Sequence, residues 1–126
     1  MPKNVPVLPG IQPSRSAYSQ VVEANGFVFV AGQVGADPAT GDVVPGGIEA
    51  ETRAMFANVQ RCLEAVGLGL GDVVKSTVYL VDIADWAACN EVFREVFAVG
   101  PPTRATVAVD GLVAPYRIEI EIIAAR

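Results

Sequence analysis

Histidine is absent from this sequence of 126 residues, and its absence excludes a group of mechanisms. Ser-His-Asp triads, histidine general bases and histidine metal ligands all require an imidazole. Any catalysis by this chain must therefore use arginine, glutamate, aspartate, tyrosine, cysteine or backbone groups.

Cysteine is scarce as well, with Cys62 and Cys89 as the only thiols in the sequence. Two cysteines without CxxC spacing are too few for a zinc site or a disulfide framework. Cys62 falls on the apolar stripe of a predicted helix, and we expect both thiols in the core. This cysteine usage favours a reducing compartment.

Positive charge and long apolar runs are also lacking. Nine basic against fourteen acidic residues give a net charge of −5 and a pI near 4.6, the wrong sign for binding phosphate backbones. We therefore expect no nucleic acid partner. No apolar run approaches the roughly 18 residues that span a bilayer, and the first residues include several prolines. The expectation is no signal peptide, no membrane span and a cytoplasmic location.

The sequence is rich in apolar residues, which make up 52% of it against 18% charged residues. Its length suits a single domain covering residues 1–126. A chain this small cannot easily hide so much apolar surface in one core. Self-association is therefore expected.

Alternating and helical apolar patterns predict the order ββαβαββ. Asn25-Gly26 between two apolar runs indicates a hairpin, and Asp85 is a candidate helix cap. The predicted strands cover residues 18–23, 27–34, 73–81, 103–109 and 117–124, and the predicted helices cover 48–67 and 86–97. This pattern indicates an α+β fold, a mixed sheet with two helices on one face. A partner subunit is the natural cover for the other face.

Arg104 is a candidate ligand-binding residue on the fourth predicted strand. Strand alternation puts it on one face with Thr106 and Ala108, opposite the fully apolar face of Ala105 and Val107. Its guanidinium could bind a carboxylate through two parallel hydrogen bonds. The alternative from the residues alone is an ordinary exposed or salt-bridged arginine.

The last predicted strand alternates isoleucine with charge, so Glu119 and Glu121 share one face while the isoleucines pack in the core. Glu121 lies deeper in the apolar run. We expect it to be partly buried there, where it could carry a proton or orient a water. The alternative from the residues alone is that Glu119 and Arg117 form ordinary solvated cross-strand pairs and that neither glutamate has a site role.

Three further positions are candidates on weaker grounds. Tyr18 could line a pocket mouth or simply pack, and Gly32 could admit a ligand or form a β-bulge. Asn90 lies in the polar part of the second helix, where solvent contact is the alternative to a site role.

Several short motifs together resemble the reactive intermediate deaminase (Rid, or YjgF-like) family from about residue 17 to the C-terminus. They are Tyr18-Ser19-Gln20, Ala31-Gly32-Gln33, Asn58-Val59, Gly71-Asp72-Val73-Val74-Lys75, Asn90 ahead of Phe93, Pro102-Thr103-Arg104-Ala105-Thr106 and Ile118-Glu119-Ile120-Glu121. The resemblance implies a chorismate-mutase-like α+β fold, a homotrimer, and active sites in the clefts between subunits.

The resemblance also implies hydrolysis of reactive 2-imino or enamino acids to 2-oxo acids and ammonia, with no metal or organic cofactor. In the family the residue matching Arg104 binds the substrate carboxylate, and the one matching Glu121 positions water and manages protons. Residues matching Tyr18 and Asn90 help to line the site, and backbone groups near Gly32 and Thr106 complete it.

Departures from the family pattern leave the substrate open. Ser16-Ala17 replaces a common Gly-Pro, Ala31 replaces a common serine, and Thr106 stands where some members have cysteine. A short-chain 2-imino acid, an aminoacrylate or an aminomuconate could be the substrate. The alternatives to an enzyme of this kind are a non-catalytic protein that binds small carboxylates, a ribonuclease or translation inhibitor, and a chaperone-like protein.

Overall fold

A computed structural model describes residues 3–113 and 115–126 of the chain. Within these residues, five strands and two α-helices alternate along the chain as the sequence patterns predict. The strands are β1 (Val21–Ala24), β2 (Phe27–Val34), β3 (Val73–Leu80), β4 (Thr103–Ala108) and β5 (Ile118–Ala125). The helices are α1 (Gly47–Glu64) and α2 (Trp86–Val96), and short 3₁₀ turns cover Leu70–Asp72 and Ile83–Asp85.

The strands form one mixed sheet in the order β1-β2-β5-β3-β4. Neighbouring strands are antiparallel except for β3 and β4, which run parallel. The parallel pair needs a crossover, and α2 supplies it. Asn25 and Gly26 both have positive φ angles of 53° and 80°, the conformation of the predicted hairpin turn.

Both helices pack on the same face of the sheet, as predicted. Alternation along β5 buries Ile118, Ile120 and Ile122 against α1 at 3% exposure or less. Burying a side chain of this size contributes about 1.5–3 kcal/mol. The helix-covered face is therefore the hydrophobic core of the chain.

Both cysteines lie in that core as free thiols, which confirms the prediction for Cys62 and Cys89. None of the helices in the described part of the chain is long and apolar enough to cross a membrane.

Buried acidic groups fix the start of β5. Glu51 of α1 is buried, and its Oε2 accepts hydrogen bonds from the backbone N–H groups of Arg117 (2.6 Å) and Ile118 (3.1 Å). Asp85 accepts from the Arg117 guanidinium at 2.7 Å. The predicted capping role of Asp85 is wrong, because its side chain turns to Arg117 and makes no cap hydrogen bond.

The first strand is shorter than predicted and begins at Val21, not at residue 18. Ser14 Oγ accepts a hydrogen bond from the Ser16 N–H, and the Tyr18 N–H donates to the Ser16 carbonyl at 2.8 Å. These turn contacts divert the backbone from an extended path. Tyr18 therefore lies on a loop and is exposed.

Candidate active site

Strand register places Arg104 on the helix-covered face of the sheet. Arg104 pairs with Ser76 of β3, which is buried and in turn pairs with the buried Ile122 of β5. The sequence grouped Arg104 correctly with Thr106, but the expectation that this face is opposite the core is wrong. Ala105 and Val107 lie on the open face instead. The prediction failed because β4 is an edge strand whose small side chains differ too little in polarity to indicate which face is covered.

The Arg104 guanidinium is held in place by contacts with α2. Its Nη2 donates a 2.9 Å hydrogen bond to Asn90 Oδ1, and its Cζ lies 4.8 Å from the centre of the Phe93 ring. Trp86 contributes a second ring face at 5.8 Å. Such cation–π contacts contribute about 0.5–1 kcal/mol each at exposed sites. Asn90 and the rings therefore orient the cation.

The same guanidinium has no carboxylate oxygen within 4.0 Å among residues 3–113 and 115–126. A guanidinium has five N–H donors, and the hydrogen bond to Asn90 uses one of them. Within the single chain Arg104 is therefore oriented by Asn90 and has no ion-pair partner among the described residues.

A cavity of about 610 Å³ opens beside Arg104. Asn90, Phe93 and Pro102 contribute to its wall together with the buried Ser76, whose hydroxyl donates to the Thr103 carbonyl at 2.9 Å. Thr106 follows on the same face as Arg104, opposite the buried Val78. We call Arg104, Asn90 and Thr106 the arginine half of the site.

Glu121 lies on the other face of the sheet. It pairs with Thr77 of β3, which pairs with Ala105 of β4 on the open face. The Tyr79 hydroxyl donates a 2.6 Å hydrogen bond to Glu121 Oε1, and this bond is the main reason that the pKa of Tyr79 is raised. A neighbouring phenol therefore holds the carboxylate and leaves Oε2 free.

The expected partial burial of Glu121 is wrong for the single chain, in which Glu121 is exposed. Its neighbour Glu119 is half-buried, and burial, followed by the nearby charge of Glu121, raises the pKa of Glu119. Glu119 packs against the backbone of Gly32, where a Cβ would lie 2.7 Å from its Oε2. The prediction that both carboxylates share one face is confirmed, but the half-buried carboxylate is Glu119 and not Glu121.

Gly32 lies against Glu119 at an irregularity of β2 between Val30 and Gln33. A Cβ on Gly32 would lie 2.7 Å from Glu119 Oε2, so any side chain here would displace that carboxylate. Tyr18 and Gly32 both line a smaller cavity of about 220 Å³. Glu121 lines a different cavity, of about 300 Å³, together with Ala31 and Thr77. We call Tyr18, Gly32 and Glu121 the glutamate half of the site, although one chain does not bring all three into a single cavity.

The two halves do not meet within one chain. Arg104 and Glu121 point to opposite faces of the sheet, as the register shows. Gly32 on β2 is also separated from β4 by three strand spacings, on the order of 14 Å. A site that uses both halves therefore needs groups from two copies of the chain.

Sequence reasoning missed the side chains that support the charged groups. Trp86 and Phe93 were assigned only to the apolar stripe of α2, although their helical spacing with Asn90 could have indicated a common face. Tyr79 gave no signal, because its contact with Glu121 depends on the pairing of β3 with β5.

No group of three or more acidic or thiol side chains in the described residues is placed to hold a metal ion.

The fold and these residues define a small α+β protein that presents an oriented arginine on one sheet face and a tyrosine-held glutamate on the other. The chain belongs to the family described as endoribonuclease L-PSP, the Rid or YjgF-like family, whose sequence model matches residues 11–126. The family resemblance found in the sequence is confirmed. The mixed sheet with helices on one face fits the YjgF-like fold.

Similar proteins carry different functional names. A RutC family protein from Pyrococcus horikoshii is 47% identical over 85% of each chain. A rat protein named 2-iminobutanoate/2-iminopropanoate deaminase is 42% identical over 86% of this chain and 79% of its own length. The crystal structure of E. coli TdcF with bound serine superimposes with a TM-score of 0.85, at 34% identity over 92% of this chain and 94% of that one.

Proposed function

We propose that the protein hydrolyses 2-imino and enamino acids to 2-oxo acids and ammonia. The observation that carries the proposal is the oriented Arg104, which Asn90 and two aromatic rings hold at a cavity without giving it a carboxylate partner. A substrate carboxylate would accept two parallel hydrogen bonds from the remaining N–H groups of the guanidinium. The name of the rat relative and the serine in the E. coli relative support a small substrate of the amino acid class.

Arg104 fixes the substrate, and little further activation is needed. An imine carbon next to a carboxylate is already electrophilic, so orientation and a placed water supply most of the catalysis. Asn90 hydrogen-bonds this cation from α2, and Thr106 lies on the same face of β4 as Arg104. An enamino acid enters the same route by tautomerisation, in which carbon 3 gains a proton from solvent and the amino nitrogen loses one, which gives the imine.

In hydrolysis the water oxygen bonds to the imine carbon while the electron pair of the C=N bond moves to nitrogen. Glu121 takes a proton from the water and passes it to that nitrogen. The carbinolamine then collapses: its oxygen forms the C=O bond, the C–N bond breaks and ammonia leaves with the hydroxyl proton. Tyr79 holds Oε1 of Glu121, so Oε2 is the atom that handles the water.

The assembly we propose is a homotrimer in which one subunit supplies the arginine half and its neighbour supplies the glutamate half. The opposite placement of Arg104 and Glu121 supports this arrangement. Apolar side chains on the open sheet face also support it, since Phe27, Phe29 and Val107 remain 42–45% exposed in the single chain. A partner subunit would cover them.

The test generates 2-iminopropionate and 2-iminobutyrate in situ with an amino-acid oxidase and follows their decay. Wild type should accelerate the decay, and Arg104→Ala should lower kcat/KM by roughly 100-fold, equivalent to about 2.7 kcal/mol. Arg104→Lys, which keeps the charge without the planar fork, should fall between them. Equal kcat/KM in wild type and Arg104→Ala would remove the proposed role of Arg104.

Glu121→Gln separates catalysis from binding. Turnover should be lost while calorimetry still detects the product pyruvate, because the arginine half is unchanged. Unchanged turnover in this variant would refute the role of Glu121. Pyruvate binding to wild type without any imine turnover would indicate a carboxylate-binding protein instead of an enzyme.

A further inference from the structure

The cavity beside Arg104 carries a second guanidinium. Arg94 lines it together with Arg104, and no Asp or Glu is among the described residues of its wall. The chain as a whole has a net charge of −5, so a wall that contains two arginines and no acidic residue is a local reversal of charge, although Glu91 lies next to Arg94 outside this wall. Such a wall attracts a ligand with more than one negative charge.

Arg94 lies on the same side of α2 as the residue that orients Arg104. It follows Asn90 by four positions, so the two side chains are neighbours on one helix face. Asn90 hydrogen-bonds Arg104 at 2.9 Å, which shows that this helix face is turned toward β4. Arg94 thus extends the polar wall of the cavity by one helical turn, away from the position of Arg104.

The Arg94 head group is not committed to a strong partner. Its Nε lies 3.6 Å from Glu91 Oε1, and both side chains are at least 70% exposed. Such a pair contributes little and is readily exchanged for another anion. Arg53 provides the contrast, because its guanidinium binds Glu95 at 2.8 Å and Glu49 at 3.2 Å.

The size of the cavity fits a ligand larger than a three-carbon acid. In the single chain, before a neighbouring subunit contributes to the site, the cavity of about 610 Å³ extends from Arg104 to Arg94. 2-Iminopropionate has only a methyl group beyond its reacting carbon, and it would leave the region near Arg94 empty. A longer substrate would reach that region with its far end.

We propose that the preferred substrates are 2-imino acids with a second carboxylate, which Arg94 binds while Arg104 binds the carboxylate next to the imine. This inference rests on the deaminase function proposed above and specifies its substrate class. Arg94 is then a specificity-determining residue. It touches the distal end of the substrate and takes no part in proton transfer.

The experiment compares three imines made in situ: 2-iminopropionate, 2-iminosuccinate and 2-iminoglutarate, from oxidases acting on alanine, aspartate and glutamate. Wild type should have a higher kcat/KM for at least one of the dicarboxylates than for 2-iminopropionate. Arg94→Ala should lower kcat/KM for that dicarboxylate about tenfold, mainly through KM, because a charge-assisted hydrogen bond is lost. Its kcat/KM for 2-iminopropionate should change less than about twofold.

Two further variants are controls. Arg94→Lys should restore part of the preference for the dicarboxylate, since it keeps the charge. Arg53→Ala removes the same charge from the chain at a side chain outside the cavity wall, and it should leave the preference unchanged. Equal losses in Arg94→Ala and Arg53→Ala would show a general charge effect and overturn the inference.

Other outcomes distinguish this inference from the function it rests on. Higher kcat/KM for 2-iminopropionate than for both dicarboxylates, or no effect of Arg94→Ala, would overturn the second subsite while the deaminase function stands. If no imine is consumed, the proposed deaminase function is refuted. Binding of 2-oxo acids, measured by calorimetry, then tests the second subsite independently of turnover. Tighter binding of 2-oxoglutarate than of pyruvate, lost in Arg94→Ala, would support the subsite, and equal binding would overturn it.

Discussion

The two faces of the sheet use the same strands and differ in what completes them. On the helix-covered face Ile118, Ile120 and Ile122 are at most 3% exposed, closed over by the chain's own helices. On the open face the neighbouring positions of β5 are Glu119, Glu121 and Ile123, beside the exposed ring of Phe29.

This difference separates a closed hydrophobic core from a face that the single chain leaves open. The open face combines exposed rings with carboxylates, which is neither a core nor an ordinary solvated sheet surface. The glutamate half lies on the side that the chain leaves uncovered, and the arginine half lies on the side that it covers.

The sharpest test of this comparison is complementation between inactive variants. Arg104→Ala and Glu121→Gln are co-expressed with different tags, and the particles carrying both tags are purified. Each subunit then supplies the group that its neighbour lacks. In a mixed cyclic trimer about one site in three has both intact groups, so roughly a third of wild-type imine turnover should return.

The control is Arg104→Ala carrying both tags in the same way, which should stay inactive. Purified mixed particles without any turnover would contradict a site built from two copies. Recovery near one half would indicate a cyclic dimer, because a mixed dimer has one intact site in two.

A second test compares one isoleucine from each face of β5. Ile120→Ala removes a side chain that is 0% exposed and should lower the free energy of unfolding by about 4 kcal/mol. Ile123→Ala removes a half-buried side chain from the open face and should cost about 1 kcal/mol in the chain itself. Urea unfolding at fixed protein concentration measures both changes.

Sedimentation velocity distinguishes the two faces further. Ile123→Ala should shift the assembly toward smaller species at a given concentration, because it alters the face that a partner would cover in the proposed trimer. Ile120→Ala should retain the assembly state for as long as the chain is folded. Equal stability losses with unchanged assembly in both variants would remove the distinction between the faces.

The sequence was informative where adjacent residues differ strongly in polarity. Along β5, isoleucine alternates with glutamate, so the core face could be predicted from a single strand. In β4 the side chains around Arg104 are small and offer no such contrast, and the prediction chose the wrong covered face. Only the pairing of β4 with β3, which depends on contacts distant in sequence, determines where Arg104 points.

The same limit applies to the candidate site. The resemblance to the Rid family could supply the identities of Arg104 and Glu121, because residue type and motif order are local properties. Their placement on opposite faces could not be predicted, since it depends on β5 entering the sheet between β2 and β3. The hydrogen bond from Tyr79 to Glu121 depends on that pairing as well.

The smallest expected effect concerns the pH dependence of stability and tests the half-buried carboxylate of the open face. Burial, and then the charge of Glu121, raises the pKa of Glu119 above the value of 4.5 expected in the unfolded chain. At pH values between 4.5 and the raised pKa of Glu119 in the folded chain, the folded chain binds more protons than the unfolded chain. The free energy of unfolding therefore decreases as pH rises through this range. Glu119→Gln removes the group that titrates. The variant should therefore be more stable than wild type at pH 7, by less than about 1 kcal/mol because solvent screens a half-exposed carboxylate.

Urea unfolding at several pH values and one protein concentration measures this difference. The advantage of Glu119→Gln should shrink as pH falls and vanish below about 4.5, where the carboxyl group is protonated in both states. An advantage that stays constant with pH would indicate a packing change. An advantage that grows on acidification would mean that the fold favours the ionised form of Glu119, and the open face would then be better solvated than the burial of this side chain against Gly32 indicates.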